Sequence, residues 1–233
     1  LSLHDALPIC EDYMDTSTFG VDGPMAEARD GTLNWTSAKA GADGNGAIFR
    51  MAKDGQVSLV YSFDQSEVGA VRPAAGVMQA SDGNFYGTTP PKTDGTNAGT
   101  LFRLTPEGSI TILRSFSFEK SEPVGPNSRL VEDQDGTLYG TSAGGGIHGH
   151  GTVYRISRSG EFSVLHSFEY RDGIIPTGDP VFDVDGNLYG ITTRGGVENQ
   201  GTVYRLSRAG EFTILHSFSM HEDHSFDPQR LVL

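Results

Sequence analysis

The chain has one cysteine, Cys10, among 233 residues. It cannot close an internal disulfide, so packing must hold the fold. The compartment stays open, because many secreted bacterial domains also lack disulfides. Positive charge is scarce: 17 Lys and Arg face 30 Asp and Glu, a net charge of -13. No basic stripe is left for phosphate contacts, which excludes nucleic acid as a partner. No apolar run approaches the length of a membrane helix, and no stretch sustains helical periodicity. Walker A, dinucleotide-binding, nucleophile-elbow and EF-hand patterns are all missing, so no cofactor is expected. Glycine, in contrast, is in excess, at 31 of 233 residues, about twice the usual share. Without a Gly-X-Y period it excludes collagen and points to many tight turns between short strands.

Residues 1–10 have neither the basic start nor the long apolar stretch of a signal peptide. They resemble the translation of a sequencing-adapter read-through. The expectation is a non-native segment on a gene fragment assembled from metagenomic reads, with no bearing on localisation.

One unit recurs four times. Its first marker is Asp-Gly before an apolar or aromatic step. It reads Asp30-Gly31-Thr32-Leu33, Asp82-Gly83-Asn84-Phe85-Tyr86-Gly87, Asp135-Gly136-Thr137-Leu138-Tyr139-Gly140 and Asp185-Gly186-Asn187-Leu188-Tyr189-Gly190. Successive Asp positions lie 52, 53 and 50 residues apart. The second marker is Gly, a small residue, two apolar residues and Arg, at residues 46–50, 99–103, 151–155 and 201–205. The third is Ser-Phe, at Ser62-Phe63, Ser115-Phe116, Ser167-Phe168 and Ser217-Phe218.

Each unit reads as four short strands, here called A to D. In the last copy these are Val181-Phe182-Asp183, then residues 187–192, 201–208 and 211–218. Strand D has the period of two of a β-strand. Phe212, Ile214, His216 and Phe218 share one face, and Thr213, Leu215 and Ser217 the other. A four-stranded unit of about fifty residues matches a propeller blade better than a coil of a β-solenoid, which is shorter. A small sheet with apolar residues on both faces must be sandwiched between neighbours. The expected fold is therefore an all-β propeller with blades at about residues 20–63, 73–116, 126–168 and 176–218. Residues 11–19 would supply the end of a preceding blade, and residues 228–233 the start of the next. Partial blades at both ends would make residues 11–233 part of a larger ring.

These markers, best seen in the third and fourth copies, resemble the GloVer tandem repeat of Gloeobacter and Verrucomicrobia over about residues 20–233. The first copy departs from it, with Asn34-Trp35 in place of Tyr-Gly. The resemblance implies a propeller-like repeat in an exported or surface-anchored bacterial protein, and implies no catalytic residue.

In a propeller the A–B and C–D turns share one face. Here they are short and alike. The B–C loops and D–A linkers share the other face, and they differ between copies. Variation free of the packing demands of the repeat marks that face for binding. Two of its segments carry histidine: Ile147-His148-Gly149-His150 and Met220-His221-Glu222-Asp223-His224. They would form a His/carboxylate patch for a polar glycan, or else be solvated loops. No known metal-ligand spacing is met, so no metal is assigned. Asp223 would accept from a sugar hydroxyl, and Arg171 or Arg194 would pair with a uronate carboxylate. His166 and His216 occupy a slot that holds Tyr61 and Arg114 in other copies, which argues for packing with a polar tip. Arg50, Arg103, Arg155 and Arg205 recur once per unit and read as structural clamps, with the Asp-Gly carboxylates as expected partners. Two functions follow. One is an extracellular module that binds polysaccharide or a surface protein without chemistry. The other is a polysaccharide lyase or glycoside hydrolase on the loop face, with the histidines as its only support.

Overall fold

The computed structural model describes residues 24–64, 72–73, 75–119 and 121–219. Every described strand lies in one of four antiparallel sheets, and the described residues contain no helix. Blade 1 comprises β1 (Ala26–Glu27), β2 (Leu33–Ser37), β3 (Ala47–Met51) and β4 (Val57–Ser62). Blade 2 comprises β5 (Val77–Gln79), β6 (Phe85–Thr89), β7 (Thr100–Leu104) and β8 (Ile110–Ser115). Blade 3 comprises β9 (Pro123–Pro126), β10 (Val131–Glu132), β11 (Leu138–Gly145), β12 (Thr152–Ile156) and β13 (Phe162–Ser167). Blade 4 comprises β14 (Ile174–Phe182), β15 (Leu188–Arg194), β16 (Thr202–Leu206) and β17 (Phe212–Ser217). Both β9 and β10 pair with β11, so together they are the first strand of blade 3. The expected all-β fold of four-stranded propeller blades is the observed one. Residues 11–19 and 228–233, read as partial blades, lie outside the described residues.

Both hairpin turns of each blade use one device. In blade 4, Gly186 N–H donates to Asp183 C=O at 3.2 Å, and Asp183 N–H to Asn187 C=O at 3.0 Å. The second turn repeats this between Gly210 and Ser207 and between Ser207 and Glu211, each at 2.8 Å. This is a type I turn closed by a left-handed residue. Gly186 has φ +81° and Gly210 φ +88°, a region glycine enters without steric cost.

The Gly of Tyr-Gly has another cause. Gly190 lies opposite Tyr204, and Gly140 opposite Tyr154. A Cβ on Gly190 would stand 2.2 Å from Tyr204 Oη, and on Gly140 2.7 Å from Tyr154 Oη. The strand-C ring lies flat across the glycine. Blade 1 fills the same place with Trp35, whose ring stacks on Phe49 with centroids 5.6 Å apart. Its departure from the repeat is therefore a substitution of one packing solution for another.

Two expectations about the strands need correction. The first strand of blade 4 starts at Ile174, well before Val181, with a bulge between Thr177 and Val181. Its early start is fixed by a latch to the preceding blade. Ile175 N–H donates to His150 C=O at 3.0 Å. The same place holds Gly125, donating to Ala98 C=O at 2.9 Å, and Arg72, donating to Asn45 C=O at 2.6 Å. All three have positive φ, at 57° for Ile175, 66° for Gly125 and 57° for Arg72, and all three precede a proline. For β-branched Ile175 this backbone is strained. The strict alternation expected along strand D is also broken. Tyr204 opposes Ile214 while Val203 opposes His216, so Leu215 is an extra residue. Leu165 in blade 3 and Val60 in blade 1 occupy the same bulge.

The chain forms two compact units, one ending at Pro90 but also including Thr100–Leu113, the other including Pro91–Gly99 and continuing from Arg114. In the first, Ala28, Ile48 and Phe63 of blade 1 pack with Val77, Phe85 and Phe102 of blade 2. In the second, Val153 and Phe168 of blade 3 pack with Leu188, Tyr204 and Leu206 of blade 4. The Phe of the first three Ser-Phe markers meets the strand-C ring of the next blade: Phe63 meets Phe102 at 5.5 Å, Phe116 meets Tyr154 at 5.8 Å and Phe168 meets Tyr204 at 5.1 Å. Blade 1 in the first unit and blade 3 in the second thus bury a face against the following copy, as stacked repeats require.

Candidate ligand-binding faces

On the loop face of the second unit, the B–C loop of blade 3 hangs between two anchors. Gly146 N–H donates to Glu122 C=O at 2.9 Å, and His150 C=O accepts the Ile175 latch. His148 at the loop tip is exposed, and His150 is half-buried. The backbone of His150 therefore serves the blade junction, whatever its ring does. Arg171 and Arg194 are exposed. Arg194 ends β15, where a loop residue was expected, because strand B reaches further than its sequence pattern suggests. His221, Glu222, Asp223 and His224 lie outside the described residues.

His166 lies close to these loops. Its Nε2 sits 3.0 Å from Asp172 Oδ2, and its ring stacks on Phe212 at 3.6 Å and 3°. Burial lowers its pKa below the ordinary imidazole value, outweighing the nearby Asp172 carboxylate. Arg114 fills the same slot one blade earlier, 4.2 Å over Phe162 and 2.6 Å from Glu122. In both copies the slot residue covers the first aromatic of the next strand D and pairs with an acid of its own linker. That is packing with a polar tip.

Four large apolar side chains on this face are exposed. Phe118 (55%) and Tyr170 (49%) follow the repeat Phe by two residues, and Ile147 (63%) and Val197 (88%) follow the Gly-Gly of the B–C loops. Linker and loop are tied together, since Gly196 N–H donates to Tyr170 C=O at 2.9 Å. In one copy Tyr170 thus lies beside the tip that carries Val197, and in the other Phe118 and Ile147 hold the same places in the repeat. Sequence reading passed over them while following the histidines; aligning the two linkers would have shown the paired aromatics.

On the tight-turn face, Tyr189 donates its hydroxyl to Asp183 Oδ2 at 2.9 Å, and Asn187 Nδ2 donates there at 2.8 Å. Oδ1 of Asp183 accepts the N–H groups of Asp185 and Asn187, each at 2.9 Å. Tyr139 and Asp133 repeat the clasp at 3.1 Å, and Tyr86 and Asp82 at 2.8 Å. The repeat tyrosine, and not the repeat arginine, therefore takes the carboxylate. In blades 3 and 4 that carboxylate lies two residues before the Asp-Gly pair. The arginine stands across the ladder, Arg155 opposite Tyr139 and Arg205 opposite Tyr189.

These donors, the Asn187 side chain first, hold the Asp183 carboxyl down at about 2. A folded-state pKa below the unfolded value of about 4 stabilises the fold above pH 4, and this contribution is lost as pH falls toward 2. Asp183→Asn should lower stability at pH 7 and flatten the acid limb between about pH 4 and 2, read by urea denaturation across pH. An unchanged acid limb would count against the clasp.

Among the described residues, no group of three or more His, Cys, Asp or Glu is placed to hold a metal ion. A sequence model of the Gloeobacter/Verrucomicrobia repeat matches residues 21–233. The chain belongs to this repeat family. No curated protein matches the sequence significantly. Solved structures similar to this repeat chain include a gluconolactonase from Xanthomonas campestris, 16% identical with a TM-score of 0.59, matching 89% of this chain and 65% of that one. A PQQ-bound aldose sugar dehydrogenase from Streptomyces coelicolor is 14% identical with a TM-score of 0.53, over 80% of this chain and 63% of that one. The calcium-binding protein regucalcin from Agrobacterium tumefaciens is 17% identical with a TM-score of 0.53, over 81% and 57%. At such identity the likeness is one of fold alone. The repeat chain spans less than two thirds of each of these proteins. No helix among the described residues is long and apolar enough to cross a membrane.

Proposed function

We propose that this repeat chain is part of an extracellular bacterial propeller that binds polysaccharide through its loop face, without chemistry of its own. The observation that carries the reading is the repeated pair of exposed aromatic and aliphatic residues, Phe118 with Ile147 and Tyr170 with Val197. Contiguous exposed apolar side chains mark interaction surfaces. An aromatic ring offers a flat apolar face beside polar neighbours, and here Arg171 and His148 supply the polar groups. A surface that recurs in two successive copies suits a ligand that also repeats. The extracellular setting rests on the resemblance of the family to exported proteins. The titratable groups of the face support binding over catalysis: His166 is committed to Asp172 and Arg114 to Glu122.

Affinity electrophoresis through gels containing neutral and acidic polysaccharides tests this. At least one polysaccharide should retard the chain, and Tyr170→Ala with Phe118→Ala should weaken retardation about tenfold or more, as loss of anchor residues does. Retardation by none, or unchanged retardation of the double variant, would refute the binding site. Release of reducing ends or unsaturated uronates from the bound polymer would instead establish the lyase or hydrolase reading.

A further inference from the structure

A cleft of about 220 Å³ opens between blades 3 and 4 at the tight-turn end, away from the loop face. Tyr139 and Phe182 wall it, their rings edge to face at 5.1 Å, and Leu188 and Leu206 also line it. Its charged groups are Asp133, Asp135, Arg155 and Arg208, with Gln134 and Ser207 beside them.

The preceding pair of blades shows why it is open. Between blades 1 and 2, Arg50 Nη2 donates to Pro106 C=O at 3.2 Å, and its guanidinium lies 5.7 Å over Phe85. Arg50 Nε is held by Asn34 at 3.2 Å. In blade 3 the place of Asn34 belongs to Tyr139, whose hydroxyl is committed to Asp133. Arg155 Nε turns instead to Ser163 Oγ of its own blade, at 2.9 Å. The counterpart of Pro106 is Arg208, and its side chain reaches Asp135 at 3.3 Å. Both of these side chains are mostly exposed, at 64% and 73%. Such a surface pair is weak and yields readily to competing polar groups.

Two carboxylates and two guanidinium groups leave the rim without net charge. Neither an anion nor a cation is favoured; a ligand must offer donors to Asp135 and acceptors to Arg155 and Arg208 together, above an apolar wall. The volume lies below that of pockets for drug-sized molecules. We propose that the cleft binds one pyranose ring of a neutral sugar, with its apolar face against Tyr139 and Phe182 and its hydroxyls bridging Asp135 and Arg208.

The test is a ¹H–¹⁵N titration of the intact chain with D-glucose, D-galactose and D-mannose, alongside D-glucuronate and D-glucosamine. At least one neutral sugar should give saturable shifts at Tyr139, Gly186 and Gly210, with a dissociation constant of the order of millimolar. Asp135→Ala and Arg208→Ala, both at exposed positions, should each weaken binding about tenfold while the melting temperature stays put. Tyr170→Ala should leave it unchanged, so failure here and failure of the loop-face site are separable. The assignment is overturned if no neutral sugar saturates, if both variants bind normally, or if a charged sugar binds best.

Discussion

Phe168→Ala should lower the unfolding free energy by about 3–5 kcal/mol, the usual cost of truncating a fully buried aromatic. Phe168 is fully buried. Its ring meets Tyr204 at 5.1 Å, Phe212 at 5.7 Å and His166 at 4.9 Å, each close to edge-on. Two of those three neighbours belong to the next blade, so the ring is the main peg between copies. Its neighbours cannot close over the hole. His166 is held by Asp172 and by its stack on Phe212, and the Phe168 backbone is fixed by its own N–H on Gly151 C=O at 3.0 Å. Equilibrium urea denaturation measures the loss, with Phe168→Leu expected to recover much of it. A cost under about 1 kcal/mol would mean that the blades do not depend on this contact, since such a value is typical of surface substitutions.

Gly190→Ala should cost about 1–3 kcal/mol, from overpacking alone. Gly190 is not in the left-handed region, so alanine meets no backbone penalty there. It meets Tyr204, with Oη at 2.2 Å and Cζ at 2.4 Å from the new Cβ. Neither strand can move aside, because Gly190 and Tyr204 are paired within the ladder of β15 and β16. Gly83→Ala is the useful contrast. Its Cβ would have nothing within 4 Å among the described residues, but its φ is +85°, so any cost there is conformational and about 1 kcal/mol. Tyr204→Phe should stay within about 1 kcal/mol of the wild type. Among the described residues Tyr204 Oη is buried with no hydrogen-bond partner, and Phe102 already stands at this place in blade 2.

The fold was legible because each of its rules is written several times. Asp-Gly at near-constant intervals gave the hairpins, and the order of the three markers gave the blade period, while the role of the Ser-Phe ring as a peg emerged only from the packing. The swap among Tyr61, Arg114, His166 and His216 identified the packing slot. What escaped was whatever depends on register. The bulge at Leu215 leaves no mark in an alternating pattern, since its neighbours stay apolar. The carboxylate of the clasp moves from Asp82 in one copy to Asp133 and Asp183 in others, and only the tyrosine hydroxyl shows which is used. The cleft beside Tyr139 was hidden because it arises from where Arg155 turns, not from what it is. At the loop face, His148 and Arg171 are exposed, His150 is half-buried and Arg194 ends β15. The aromatic residues beside them were not anticipated, because nothing in a single linker distinguishes an exposed Phe118 from a buried Phe116.

Each sheet runs in chain order without a crossover, and this governs how the chain acquires its structure. Every ladder joins strands that are near in sequence, so loop-closure entropy stays small and hairpins can form before any distant contact exists. Folding should start at the blade whose two turns close fastest and spread outward, one peg at a time. The same arrangement makes the blade a unit of inheritance. Duplicating or losing one copy between two latches would cut no sheet.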